Sequence, residues 1–175
     1  MALEMGLAHE MMDTTEGVRR SVVGVAEHYV RVDGSTLSCI GLGSCIGIAI
    51  FDAKAGIGGL AHAMLPRYDE GLDRRNAFKY ADTAVFLMVD ELVEQGATKS
   101  NLRAKAAGGA QMFSFISNDS LNIGLKNAQA TRESLKKEGI PLIGEDMGGI
   151  KGRTVFFRPD TGVYEVQMNG VRNLI

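Results

Sequence analysis

Apolar positions along the chain fall into short β-like runs, interrupted twice by stretches with helical spacing. Ser21 to Val32 opens with β-branched residues and predicts a strand. Asp33-Gly34 predicts a turn into a second strand over Ser35 to Ile40, the two forming a hairpin. Ile46 to Phe51 and Ile57 to Pro66 are apolar runs on either side of a turn-like Asp52-Ala53-Lys54-Ala55-Gly56, which predicts a second hairpin. Asn76 is a capping residue for a helix running to Gln95, with Phe78, Ala81, Val85, Met88, Val89 and Leu92 as its buried stripe and Gly96 as its stop. Residues 102–107 alternate as a strand entering a Gly108-Gly109 turn.

A second helix is predicted from Asn122 or Ile123 to about Glu138, stopped by Gly139, with Leu125, Ala128 and Leu135 on its apolar side. Pro141 to Glu145 reads as a short strand and Asp146 to Arg153 as a Gly-rich turn region. Thr154 to Arg158 and Val163 to Asn169 then form a hairpin across Pro159-Asp160-Thr161-Gly162. Seven or eight strands with two long helices make an α+β domain with mixed β-sheets.

The chain has 175 residues, 45% of them hydrophobic, which suits one domain with a full-sized core. Residues 1–20, rich in Met, Glu and Thr, lack the charge and apolar pattern of a secretory signal and read as a flexible N-terminal extension ahead of a domain over 21–175. Nineteen Lys and Arg stand against twenty-one Asp and Glu, a net charge of −2, so composition carries no electrostatic footprint for nucleic acid or anionic lipid. No apolar run is long enough for membrane insertion. Two cysteines make no disulfide framework, and a reduced pair fits a cytoplasmic protein. His9 and His28 have no companions at metal-ligand spacing, so neither a metal nor another cofactor is expected. Gly108-Gly109 has neither a Walker lysine nor Rossmann spacing. Asp82 is read as a helix-dipole partner or local hydrogen bonder.

The candidate chemistry lies in the second hairpin. If Phe51 sits opposite Gly56, Cys45 falls opposite His62, and directly opposed residues have Cβ atoms roughly 4.5–5.5 Å apart. A thiol beside an imidazole can ionise and act as a nucleophile, with the imidazolium serving later as acid. Gly47 and Ala49, on the face of Cys45, add little bulk, and Gly41-Leu42-Gly43-Ser44 can present backbone N–H groups to a developing oxyanion. The residues alone leave a second reading open, a buried free Cys and a His satisfied within an apolar strand.

The same residues resemble a known family. Gly41-Leu42-Gly43-Ser44-Cys45, a strand ending Phe51-Asp52, and Gly58-Gly59-Leu60-Ala61-His62-Ala63-Met64-Leu65-Pro66 are similar to the signature of the CheD family of chemoreceptor glutamine deamidases. The likeness continues through Lys79-Tyr80-Ala81-Asp82, residues 104–113, residues 122–127 and residues 146–153.

The resemblance implies helices outside layered, packed sheets, as in the deamidase domain of cytotoxic necrotizing factor toxins. It implies a protein-glutamine glutaminase of chemotaxis, a cysteine hydrolase with Cys45 as nucleophile, His62 as acid and base, and an oxyanion site at Gly43 and Ser44. Methyl-accepting chemotaxis receptors would be the substrate, and receptor glutamyl esters would be open to the same thioester path. The family places a Thr six residues before its Cys, and here that position is Cys39. Three alternatives stand: a weaker third member, another group in that role, or reduced activity. The resemblance also implies binding to a CheC-type phosphatase acting on CheY-phosphate, and the alternative function is a mainly non-catalytic stimulator of that phosphatase. Met112 and Phe113, after the Gly108-Gly109 turn, are expected to face the substrate or partner, as is the loop from Pro66 to Arg74.

Overall fold

The computed structural model describes residues 10–12, 19–112 and 122–175. These residues form eleven strands and two α-helices: β1 (Glu10–Met12), β2 (Arg19–Val22), β3 (His28–Arg31), β4 (Thr36–Leu42), β5 (Ile46–Asp52), β6 (Ile57–Ala63), α1 (Ala81–Glu94), β7 (Arg103–Gly108), α2 (Ile123–Glu138), β8 (Leu142–Met147), β9 (Arg153–Arg158), β10 (Val163–Met168) and β11 (Val171–Leu174). The predicted α+β class with mixed sheets holds. One sheet has the order β1-β2-β4-β9-β10-β11 and the other β3-β6-β5-β7-β8. Each is mixed, because β2 pairs with β4, and β7 with β8, in parallel.

Strand β5 shows why the layers stack as they do. Every residue from Ile46 to Asp52 is buried, so the strand needs cover on both faces. Ile46, Ile48 and Ile50 join Val85, Met88 and Leu92 of α1 and Ala128 and Leu135 of α2 in one core. Ala49 and Phe51 join Leu37, Val155, Phe157 and Tyr164 of the six-stranded sheet in another. Alternation along the strand separates the two cores. The five-stranded sheet is the middle layer, with helices on one side and the second sheet on the other.

Several expectations need correction. Ser21 to Val32 is two strands, because a turn in which Gly24 and Glu27 bond each other, with Ala26 at φ 63°, carries the chain from one sheet to the other. The predicted hairpin across Asp33-Gly34 therefore does not form: β3 pairs with β6, and β4 pairs with β2 and β9. Asn76 caps only a short 3-10 turn over Ala77–Lys79, and α1 begins at Ala81. The α1 stripe is otherwise as expected, with Ala81, Val85, Met88, Val89 and Leu92 buried.

Helix α2 keeps both predicted ends. The Asn122 side chain accepts from the Leu125 N–H, and Gly139 closes the helix in the left-handed conformation. Leu125, expected on the apolar side, is exposed. Strand β11 was not anticipated; it folds back on β10 across Asn169-Gly170, both at positive φ, a two-residue hairpin turn. The expected domain start at residue 21 falls inside β2, which Glu10–Met12 extends as an antiparallel neighbour. No described helix is long and apolar enough to cross a membrane.

Candidate active site

Cys45 precedes β5 directly, and His62 lies near the end of β6. The hairpin forms, but its register differs by two residues from the expected one: His62 faces Gly47, Leu60 faces Ala49, and Gly58 faces Phe51. The turn decides this. Asp52 stays in the strand opposite Ile57, and its buried carboxylate accepts from the N–H groups of Lys54, Ala55 and Thr98 and from the Asn101 amide. Burial would raise that carboxyl, but the donors outweigh it and its pKa is lowered. A two-residue slip preserves the face. Continued past Ile46, this register would set Cys45 diagonal to His62 across Gly47 rather than opposite it; Cys45 itself lies in the bend before β5 and packs against the core between the sheets.

His62 is only 4% exposed, and its Nδ1 lies 3.1 Å from the Val23 carbonyl oxygen. A carbonyl only accepts, so Nδ1 carries the proton and the neutral ring keeps its lone pair on Nε2. The peptide that carries the Val23 carbonyl is itself fixed, because its N–H, that of Gly24, donates to the Glu27 carboxylate at 2.8 Å, and the Val23 N–H on the other side donates to the Ser38 carbonyl at 2.7 Å. Main-chain bonds from Ala26 N–H to the His62 carbonyl and from His62 N–H to the Glu27 carbonyl clamp the same segment onto β6. Burial lowers the His62 pKa, against opposing contributions from Val23 and Glu27. Burial raises that of Cys45, partly offset by its own N–H. Both shifts favour a neutral thiol and a neutral imidazole at rest.

Cys39 is fully buried in the core between the sheets, and burial, together with the neighbouring Cys45, drives its thiol far above the usual range. It is not the group that holds Nδ1; Val23 is. Sequence reasoning had no signal for this, since the bond uses a main-chain oxygen on a different strand.

Residues 43–45 are half-buried and held by their carbonyls. The Gly43 carbonyl accepts from Ala110 N–H, the Cys45 carbonyl from Gly109 N–H, each at 2.8 Å, and the Ser44 carbonyl from Asn127 Nδ2 at 2.8 Å. Among the described residues, the N–H groups of Gly43, Ser44 and Cys45 donate to no main-chain carbonyl. Gly108 makes the grip sterically feasible: it sits at φ 118°, and a Cβ there would fall 2.2 Å from the Cys45 oxygen. In place of the expected tight turn, Gly108 ends β7 and Gly109 follows it in irregular chain, both at positive φ, and the pair clamps the Cys45 loop.

Asn127, fully buried on α2, was missed as a site residue. Its Nδ2 donates also to the Met64 carbonyl at 2.9 Å, and among the described residues its Oδ1 has no partner. An unsatisfied buried acceptor costs about 1–3 kcal/mol, so the position is held for its donors.

Met112 is 51% exposed, and its side chain covers Gly43, 3.2 Å from where a Cβ would stand. Phe113 lies outside the described residues. In the Pro66 to Arg74 loop, Tyr68 N–H donates to the Asp82 carboxylate at 3.0 Å, which makes Asp82 a local hydrogen bonder, and Arg67 pairs with Glu133 of α2. Among the described residues, no three His, Cys, Asp or Glu side chains gather in a way that would hold a metal ion.

Residues 64–168 match the family model described as CheD chemotactic sensory transduction. The chain is 45% identical over 141 residues to a probable chemoreceptor glutamine deamidase CheD of Caldanaerobacter subterraneus subsp. tengcongensis, covering 80% of this chain and 87% of that one. It is 41% identical over 159 residues to a protein of the same description from Geobacillus kaustophilus, covering 89% and 94%. It is 44% identical over 143 residues to the chemoreceptor glutamine deamidase CheD of Halalkalibacterium halodurans, covering 79% and 87%. Among solved structures, Bacillus licheniformis YfiH aligns with a TM-score of 0.44 at 16% identity, over 68% of this chain and 49% of that one. With matches of this identity along most of its length, the chain belongs to the CheD family.

Proposed function

We propose that this chain is a chemotaxis protein-glutamine deamidase that hydrolyses side-chain amides of receptor glutamines to glutamate, with Cys45 as nucleophile and His62 as its base and acid. The observation that carries the reading is the bond from His62 Nδ1–H to the Val23 carbonyl, which leaves the Nε2 lone pair available to take a proton from a thiol. As Sγ attacks the glutamine carboxamide carbon, Nε2 takes the thiol proton. The tetrahedral oxyanion is met by N–H groups of Gly43, Ser44 and Cys45. Nε2–H then protonates the departing amine, ammonia leaves and a thioester remains. Water, deprotonated by the neutral Nε2, attacks the thioester; glutamate forms and the proton returns to Sγ. The sequence of steps needs no cofactor, and receptor glutamyl esters fit the same path.

The third role in the triad falls to the Val23 carbonyl rather than to Cys39. Such a carbonyl both orients the imidazole and stabilises the imidazolium formed in each step. Exposed Met64 and Met112 flank the loop, Met64 sharing the Asn127 amide with Ser44 and Met112 lying on Gly43. They supply apolar anchors for a glutamine presented on a receptor helix, a surface that a CheC-type phosphatase would also engage. In this reading residues 21–175 are the deamidase domain, working in the cytoplasm, in the layered arrangement of the cytotoxic necrotizing factor deamidase domain.

The test is ammonia release from a glutamine-bearing receptor fragment, with mass mapping of the converted residues. Release that depends on Cys45 supports deamidation. Silence together with stimulation of a CheC-type phosphatase would assign the chain to the regulator role instead.

A further inference from the structure

We propose that Asn127 is a positioning residue for the oxyanion site, an inference that rests on the deamidase reading above. Its Nδ2 bridges the Ser44 carbonyl at 2.8 Å and the Met64 carbonyl at 2.9 Å. One amide thus joins the residue before Cys45 to the residue two beyond His62. The helix holds Asn127 firmly, since it is fully buried and the Thr131 hydroxyl donates to its carbonyl at 2.8 Å.

Peptide geometry turns this tether into a catalytic device. The Ser44 carbonyl and the Cys45 N–H belong to one planar trans peptide, and the two bonds of such a unit point in opposite directions. Drawing the carbonyl towards α2 therefore aims the Cys45 N–H away from the helix layer. The bond from Ala110 N–H to the Gly43 carbonyl sets the Ser44 N–H in the same manner. Two adjacent donors are then fixed before substrate arrives, as oxyanion stabilisation demands. An Oδ1 without a partner among the described residues agrees with a residue kept for what it donates. A carboxylate of the same shape would set acceptors against both carbonyls. An alkyl group would leave them unbonded.

The test compares two reactions of Cys45 in Asn127→Ala and Asn127→Ser at a temperature where circular dichroism matches the wild type. Deamidation of the receptor fragment passes through a tetrahedral oxyanion; alkylation by iodoacetamide, followed by mass at Cys45, does not. Loss of an aligned oxyanion donor lowers kcat about 100-fold, and the Ala variant is expected to show a loss of that order with KM little changed. Alkylation is expected to keep its wild-type rate and pH profile. The Ser variant, with one donor left, should fall between, and serves alone if the Ala variant fails to fold. Deamidation kept at the wild-type rate would overturn the proposal, as would alkylation falling in parallel, which marks a merely structural role. Absence of ammonia release by the wild type, or its persistence in Cys45→Ala, would overturn the deamidase reading itself and the proposal with it.

Discussion

His62 is oriented by Val23: Nδ1–H donates to that residue's main-chain oxygen across 3.1 Å, from a segment whose own N–H is bonded to β4. The position expected to supply a side-chain hydroxyl holds the buried Cys39 instead. The imidazole thus has a fixed tautomer that no side-chain substitution at 23 removes.

Cys45→Ala should abolish ammonia release with the fold intact, because it deletes the nucleophile from a half-buried bend. His62→Ala should come close to the same loss, since an unassisted thiol with a pKa of about 8.5 is mostly protonated at neutral pH. Near wild-type release by either variant would remove that residue from the mechanism.

The pH dependence follows from burial. Activity requires neutral His62, whose pKa lies below the usual value of about 6.5, so the acid limb of kcat/KM should have its midpoint under that value. Cys45, raised by burial, should be alkylated with a midpoint above about 8.5. A preformed thiolate–imidazolium pair would instead show rapid alkylation well below pH 7. The same His62 shift makes folding stability fall as the pH drops from about 6.5 through the folded-state value, because the unfolded chain binds the proton more tightly. Denaturant melts across that window, with His62→Gln as the control, measure it.

Cys39→Thr should leave deamidation essentially unchanged, because Val23 already holds the imidazole. The hydroxyl enters a fully buried site, and without a partner it would cost about 1–3 kcal/mol of stability. A clear gain in kcat would show that a hydroxyl at 39 reaches the ring after all, and would take the orienting role from Val23.

Gly47→Ala should damage both stability and activity. A Cβ there would come within 2.9 Å of the Tyr164 hydroxyl, which donates to the Gly47 carbonyl, and 3.2 Å of Leu42 and Val155. Relief requires the two sheets to part between Cys45 and His62, at about 1–3 kcal/mol. A normal melting curve with normal kcat would mean that this contact relaxes freely.

Met112→Ala should raise KM for the receptor fragment more than it lowers kcat. The side chain covers Gly43 and is 51% exposed, so its loss removes apolar contact without touching the dyad. An unchanged KM would take Met112 out of the substrate surface.

The sequence alone determined what depends on local chemistry. Asn122 and Gly139 marked both ends of α2, because capping is settled within a few residues. Unbroken apolar runs identified β5 and β6 as a buried hairpin. Period two kept Gly47, Ala49 and Phe51 on the face of His62, Leu60 and Gly58 even though the register was off by two, since an even slip preserves faces.

Tertiary structure decided what depends on distant partners. The register follows from the Asp52 carboxylate, held partly by Thr98 and Asn101. Ser21 to Val32 divides because β2 and β3 find different neighbours, a choice made by competing edges rather than by propensity. Asn127 reads in sequence like any polar helix residue, and only docking of α2 turns it onto two strand ends. Every residue carries a main-chain carbonyl, so no side-chain pattern can announce that of Val23; the packing of one segment against His62 set it on the imidazole.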